Sequence, residues 1–212
     1  MNAWHFAVPV AAYFIGAIPF GFLIGKLHGI DIRKVGSGNI GATNVTRSVG
    51  KTAGKLCFFL DFLKGILPVY LAGLLCPGEP VVALAAGAAT IAGHMFPVYL
   101  EFKGGKGVST AAGVALALAP YPLLIAFVSW VIVFLVWRYV SLASIVAAVV
   151  LPCTAILLAL CDIGGATATS GVTIGFFLLI SLLAIYRHRS NIARLLNGTE
   201  SRFEKKKHGD AK

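Results

Sequence analysis

Five apolar runs dominate this chain: Trp4–Ile24, Leu56–Leu75, Val81–Leu100, Val140–Leu160 and Val172–Tyr186. A helix crossing the roughly 30 Å hydrocarbon core of a bilayer needs about 20 apolar residues, and these runs are of that order. The 212 residues are 58% hydrophobic and only 12% charged, about half the charged fraction of a soluble domain. So much apolar surface cannot be hidden inside one domain of this size, so lipid is its solvent. A soluble globular enzyme, a disordered chain and a secreted disulfide scaffold are excluded. The sequence reads as an all-α integral membrane protein.

The segment Val108–Val136 is interrupted by Pro120 and Pro122, and proline seldom sits inside a helix without a kink. Charge decides how to read it. Lys26, Arg33, Lys34, Arg47, Lys51 and Lys55 lie between the first two runs. Lys103 and Lys106 follow the third, Arg138 follows the interrupted segment, and the C-terminal stretch from Arg187 onward is basic. If Val108–Val136 returns to its starting side, all these loops share one face, as the positive-inside rule prefers. The expectation is therefore about seven transmembrane helices, with a short helix pair around Pro120/Pro122. The N-terminus lies outside and the C-terminus in the cytoplasm. No basic region precedes the first run, which reads as a retained span rather than a cleaved signal peptide. The organisation expected is a single membrane domain over 1–200 and a basic cytoplasmic tail over 201–212.

The net charge of +10 fits orientation and anionic lipid contact before it fits a polyanionic ligand; no nucleic acid partner is expected. Cys57, Cys76, Cys153 and Cys161 form no CxxC and lie in or beside apolar runs, as small packing residues do.

Three polar stretches stand out: GSGNIGATN with a following arginine (Gly36–Asn44, Arg47), FKGGKGVST (Phe102–Thr110) preceded by Gly93, His94 and Pro97, and RHRSNIARLLNGTE (Arg187–Glu200). Each is rich in Gly, Ser, Thr, Asn or basic residues and nearly free of carboxylates. Glycine lets backbone N–H groups turn inward as a nest, Lys and Arg add full charge, and a helix opening near Val108 presents its N-terminus to an anion. Single loops of this kind are ordinary turns and topology devices. Three of them on one face point to phosphate.

Two near-motifs are refused. Gly36, Gly38 and Gly41 satisfy GxGxxG, with Asp61 twenty residues on, yet a membrane helix precedes them where a dinucleotide fold needs a strand. Lys103–Thr110 resembles a P-loop, but Gly107 stands where Ser or Thr is required, and no loop offers aspartates for Mg²⁺. With no zinc cluster either, the reading is an anion site without metal or other cofactor. Asp61 and Lys64, three apart on one helix, read as a salt bridge. Gly21 and Gly25 form a GxxxG pair suited to close helix packing. His94 stays open between a structural role and a site role.

Gly36–Arg47 (GSGNIGATNVTR), Gly93–Thr110 (GHMFPVYLEFKGGKGVST) and His188–Glu200 (HRSNIARLLNGTE) together resemble the three signature motifs of the bacterial acyl-phosphate:glycerol-3-phosphate acyltransferase family. The likeness extends from about Phe6 to Glu200. It implies transfer of a fatty acyl group from acyl phosphate to the 1-hydroxyl of glycerol 3-phosphate. The products are 1-acyl-glycerol 3-phosphate (lysophosphatidate) and phosphate, in the first acylation of phospholipid synthesis. The place implied is the bacterial inner membrane, with the active site on its cytoplasmic face. Functional coupling to a soluble acyl-phosphate-forming enzyme is a further expectation of that donor.

By the same resemblance, Gly104, Gly105 and Gly107 with Lys103, Ser109 and Thr110 hold the acyl phosphate, whose tail enters a groove open to lipid. Ser37, Asn39, Thr43, Asn44 and Arg47, on a loop shaped by Gly36 and Gly38, position glycerol 3-phosphate with Lys106, His188 and Asn191. Glu200 braces the third motif. The catalytic set expected is Ser37, Arg47, Lys106, His188 and Asn191. Direct transfer, with a substrate phosphate accepting the proton, is preferred over His188 as base or Ser37 as acylated nucleophile. A transporter of a phosphorylated metabolite would share the basic loops, but no repeat is visible and the polar motifs gather at one face rather than the midplane. A non-catalytic anionic-lipid binder explains the tail but not Gly36–Asn44.

Overall fold

The computed structural model describes residues 3–163 and 170–203. They form ten α-helices, with no β-strand among the described residues: α1 (Trp4–Ala17), α2 (Phe20–Leu27), α3 (Ala42–Ser48), α4 (Lys51–Leu75), α5 (Pro80–Met95), α6 (Val108–Leu118), α7 (Pro120–Trp137), α8 (Val140–Leu160), α9 (Gly171–Arg187) and α10 (Arg189–Leu196). Five segments are long and apolar enough to cross a membrane: Trp4–Leu27, Lys51–Leu75, Pro80–Leu100, Pro120–Trp137 and Val140–Leu160. The pair α9 and α10, bent by 56°, makes a sixth if taken as one span, and α6 is a shorter apolar helix.

Proline placement explains two departures from the sequence reading. The pair around Pro120/Pro122 is unequal, because the chain breaks at Ala119 and Pro120 opens an 18-residue helix. Proline at a helix's first turn removes an N–H that has no intrahelical partner and presets φ, so it starts helices as readily as it stops them. The first apolar run is broken at Ile18–Pro19 into α1 and α2. Pro9, Pro68 and Pro152 instead sit inside helices, which neighbouring helices make tolerable in a membrane protein.

The core lies between α4, α5, α6, α8 and α9, where Val69, Leu84, Ile91, Val114, Leu151 and Phe177 bury one another. Close approach of α4 and α6 depends on Gly65 and Gly113, whose missing side chains leave room for the backbone at Thr110 and Phe62. Helix α7 turns Leu124, Phe127, Val128, Ile132, Leu135 and Val136 outward, the composition of a lipid face. Gly21 faces Cys57 Sγ of α4, as close helix packing would have it, but both glycines chiefly serve the loop after α2. They admit the carbonyls of Ile40 and Ile30 from the loop after α2, which seats that loop against α2 and α4 through Ile32, Ile40, Val45 and Cys57.

Candidate active site

All three polar stretches reach one end of the bundle and line a single cavity of about 810 Å³. From the first stretch come Gly36, Ser37, Asn39, Thr43, Asn44 and Arg47. Lys106, Gly107 and Ser109 come from the second, and His188, Asn191 and Glu200 from the third. The cavity is polar at this end because helix termini and loops meet there. Its cations are Arg47, Lys55, Lys106 and Arg194.

The first loop is shaped by Asn44 of α3. Its amide donates to the carbonyls of Ile32, Val35 and Asn39 at 3.0, 3.0 and 2.9 Å, and its oxygen accepts the Ser37 N–H at 3.0 Å. Asn44 therefore spends its polar atoms on the loop, a placing role rather than the ligand contact expected from sequence. Gly36 (φ +60) packs against that amide and Gly38 (φ +68) turns the chain behind it, outside the cavity lining. Asn39 holds Gly41 N–H at 2.8 Å. What the loop presents to the cavity is the Ser37, Thr43 and Arg47 side chains.

The glycine loop departs further from expectation. The Gly104 and Gly105 N–H groups are donated to the carbonyls of Met95 and His94, at 3.2 and 3.1 Å. Their own carbonyls accept from one Arg187 nitrogen at 3.0 and 2.8 Å. Neither glycine lines the cavity, so neither offers a nest. Lys103 points away and pairs with Glu101 at 3.2 Å, both largely exposed. Thr110 is fully buried in the core of α6. The donors that remain are Lys106, Gly107 (φ +82, left-handed) and the first turn of α6 with Ser109, a helix start suited to an anion. Arg187, given no role by the sequence, is the clasp of this loop.

The third stretch forms a hydrogen-bonded chain. Lys106 Nζ donates to Asn191 Oδ1. Asn191 Nδ2 donates to Glu200 Oε1 at 2.7 Å, where the Ser141 hydroxyl also donates at 2.7 Å. Arg194 Nε donates to Glu200 Oε2 at 2.7 Å. Burial raises the Glu200 carboxyl, but donation from Ser141, Asn191 and Arg194 wins and holds it below the usual carboxylate value. Glu200 is thus ionised and braces the motif. Burial pushes the Lys106 ammonium down to about 8; Glu200 opposes this while Arg194, Arg187 and Arg47 add to it. Burial, helped by Lys106, brings His188 down to about 4 against the pull of the Ala184 carbonyl. His188 Nδ1 lies 2.7 Å from that carbonyl, so Nδ1 carries the proton and Nε2 keeps its lone pair.

Asp61 and His94, which also line the cavity, form a buried charge cluster with Lys64. Lys64 Nζ is 2.8 Å from Asp61 Oδ1, as expected from sequence. It also donates to the Ile18 carbonyl at 2.7 Å, a group exposed by the α1–α2 break. His94 Nδ1 lies 3.6 Å from Asp61 Oδ1, and its ring occupies the space that a Gly105 side chain would need.

At Phe58, Val108, Trp130 and Ser144 the cavity runs into an apolar groove of about 160 Å³ between α6, α7, α8 and α9, lined by Ala111, Leu123, Phe127, Ala147, Leu151 and Ile180 among others. Trp130 Nε1 donates to Ser144 Oγ at 3.2 Å across its mouth.

A family model described as glycerol-3-phosphate acyltransferase matches residues 6–198. Relatives named glycerol-3-phosphate acyltransferase include one from Aquifex aeolicus, 48% identical over 195 residues (92% of this chain, 96% of the relative). Another, from Trichlorobacter lovleyi, is 48% identical over 193 residues (91% and 94%). The crystal structure of PlsY (YgiH), an integral membrane glycerol 3-phosphate acyltransferase, in its glycerol 3-phosphate form matches with TM-score 0.85 at 46% identity. That match covers 94% of this chain and 96% of that one. Its lysophosphatidic acid form matches with TM-score 0.83 at 44% identity, covering 94% and 95%.

Proposed function

The chain belongs to the glycerol-3-phosphate acyltransferase family, and from that premise we propose that it moves a fatty acyl group from acyl phosphate to the 1-hydroxyl of glycerol 3-phosphate. The products are 1-acyl-glycerol 3-phosphate and inorganic phosphate. The observation that carries this reading is the junction of a cationic cavity with an apolar groove between helices. Two phosphate-bearing substrates fit the cations, and a fatty tail fits the groove.

Arg47, Ser37, Thr43, Lys106 and Asn191 hold glycerol 3-phosphate. The first turn of α6 with Lys106 holds the acyl phosphate. The 1-hydroxyl oxygen attacks the acyl carbon, the carbon–oxygen bond to phosphate breaks, and phosphate leaves with the electron pair. Lys106 steadies the charge that develops on the carbonyl oxygen. The hydroxyl proton passes to a substrate phosphate, whose second pKa is about 6. His188, brought to about 4, is a weaker acceptor near neutral pH. No hydrogen bond joins Ser37 Oγ to a base among the described residues, which favours direct transfer over an acyl-enzyme.

We place seven helices across the inner membrane: α1 with α2, α4, α5, α6, α7, α8 and α9. The N-terminus is outside, and the C-terminus and the site are on the cytoplasmic side. The 11 residues of α6 reach only about 16 Å, so the cavity at its start is recessed below the membrane surface. The acyltransferase domain then runs past residue 200, because Ser201 and Phe203 line the same cavity.

Two outcomes follow. With Lys106 cationic only below about 8, kcat/KM for glycerol 3-phosphate falls as pH rises through that value; a flat profile to pH 9.5 contradicts the assignment. Gly105→Ala drives a methyl group into the His94 ring and displaces Lys106 beside it. The expected fall in kcat/KM is about 100-fold, with circular dichroism unchanged; activity within twofold of wild type counts against the loop's role. The donor is tested by offering palmitoyl phosphate and palmitoyl-CoA in turn with labelled glycerol 3-phosphate. Lysolipid from the phosphate alone supports the proposal, and lysolipid from the thioester alone overturns it.

A further inference from the structure

Glu200, Ser201 and Phe203 line the cavity but lie beyond residues 6–198, the range the family model matches. After Glu200 the chain crosses the cavity from the third motif to the α7–α8 turn. The Ser201 carbonyl accepts from Arg47 Nη2 at 2.9 Å. The Arg47 guanidinium lies over the Phe203 ring, 4.9 Å from its centre.

Phe203 is itself held from two sides. Its N–H donates to the Arg138 carbonyl at 3.0 Å. Its ring meets Phe134 edge-on at 5.9 Å, and Phe134 stacks on Trp130 at 5.1 Å. Between these contacts Arg202 Nε donates to the Tyr139 hydroxyl at 2.7 Å, while Glu200 anchors the other end. Arg47 rises from α3, which has only seven residues, and its side chain is exposed. A long arginine on so short a support keeps many rotamers unless something fixes it.

We infer that Ser201–Phe203 is a strap that fixes the Arg47 guanidinium toward the cavity, making Phe203 a positioning residue for the anion that Arg47 binds. The inference deepens the acyltransferase reading, on which it rests for the identity of that anion. A guanidinium has five N–H donors in a fixed fork. Ser201 uses one, and the Phe203 ring covers one face, so the other donors stay available to a phosphate. The aromatic face limits side-chain freedom before the ligand arrives, and preorganisation of this kind acts on affinity rather than on the chemical step.

The test measures KM and kcat for glycerol 3-phosphate, and its Kd by calorimetry, in the full chain. Phe203→Leu keeps the packing on Phe134 but removes the aromatic face. It is expected to raise Kd and KM about three- to fivefold, with kcat within about twofold and an unchanged melting temperature. Phe203→Tyr restores the wild-type values. In an Arg47→Ala background, Phe203→Leu adds nothing. An unchanged Kd, or the same penalty without Arg47, overturns the strap and leaves the acyltransferase standing. If the wild type binds glycerol 3-phosphate and Phe203→Leu weakens that binding, but no acyl phosphate is consumed, the strap stands and the donor assignment falls. If the wild type neither binds nor turns over glycerol 3-phosphate, both fall.

Discussion

Lys106→Met is expected to lower kcat/KM by about 100- to 1,000-fold while leaving the fold intact. The ammonium projects from the glycine loop into the cavity, where it donates to the Asn191 side-chain oxygen. Methionine keeps most of the stem's volume and removes only the charge and donors. Removing one preorganised donor to a developing oxyanion typically costs that much in rate, and Lys106 also meets substrate phosphate. The neighbouring position is the internal control. Lys103 shares the loop but pairs with Glu101 at the surface, so Lys103→Met is expected to stay within about twofold, as exposed ion pairs contribute little. The ratio of the two variants, measured side by side, checks the assignment. Equal effects would mean that the loop acts through general positive charge, and a Lys106→Met enzyme of near-normal activity would remove Lys106 from the site.

The largest effect on stability is expected at the buried Asp61–Lys64 pair beside the cavity. Lys64→Met strands the Asp61 carboxylate, whose side chain is only 2% exposed, beside His94 and the Cys57 thiol. It also leaves the Ile18 carbonyl at the α1–α2 break without its ammonium donor. Removing one partner of a buried ion pair costs about 3–5 kcal/mol. Removing both partners need not, because no unpaired charge is then left behind. Asp61→Leu combined with Lys64→Met is therefore expected to regain most of the loss. Denaturant titration in detergent micelles reads both variants. A single variant as stable as wild type would contradict the pairing, and a double variant worse than the single would mean that the pair is held for more than charge balance.

Much of the fold was legible because hydrophobic length is a local signal: the helices at Val140–Leu160 and Gly171–Arg187 stand within a residue of where the apolar runs place them. The break at Ala119 was legible from Pro120. The break at Ile18 was not, since Pro19 lies within continuous apolar sequence and the side chain that meets the freed Ile18 carbonyl, Lys64, is 46 residues away. The convergence of the three motifs was readable from composition and charge placement. Their internal division of labour was not. Lys103 and Lys106 look alike in sequence, and only the turn between α5 and α6 decides which one faces the cavity. Gly104 and Gly105 look like a free nest until their N–H groups are found on the carbonyls at His94 and Met95. Ser141 and Phe203 gave no local signal, because their partners Glu200 and Arg47 are far away in the chain.

The central claim is that the cationic cavity and the apolar groove jointly serve one acyl transfer. Its most direct measurement uses the purified protein in detergent or lipid cubic phase, supplied with palmitoyl phosphate and glycerol 3-phosphate. Inorganic phosphate and lysophosphatidate are followed together. The account predicts that both appear in equal amounts and only when both substrates are present. Phosphate released without glycerol 3-phosphate, at the rate seen with it, would contradict it.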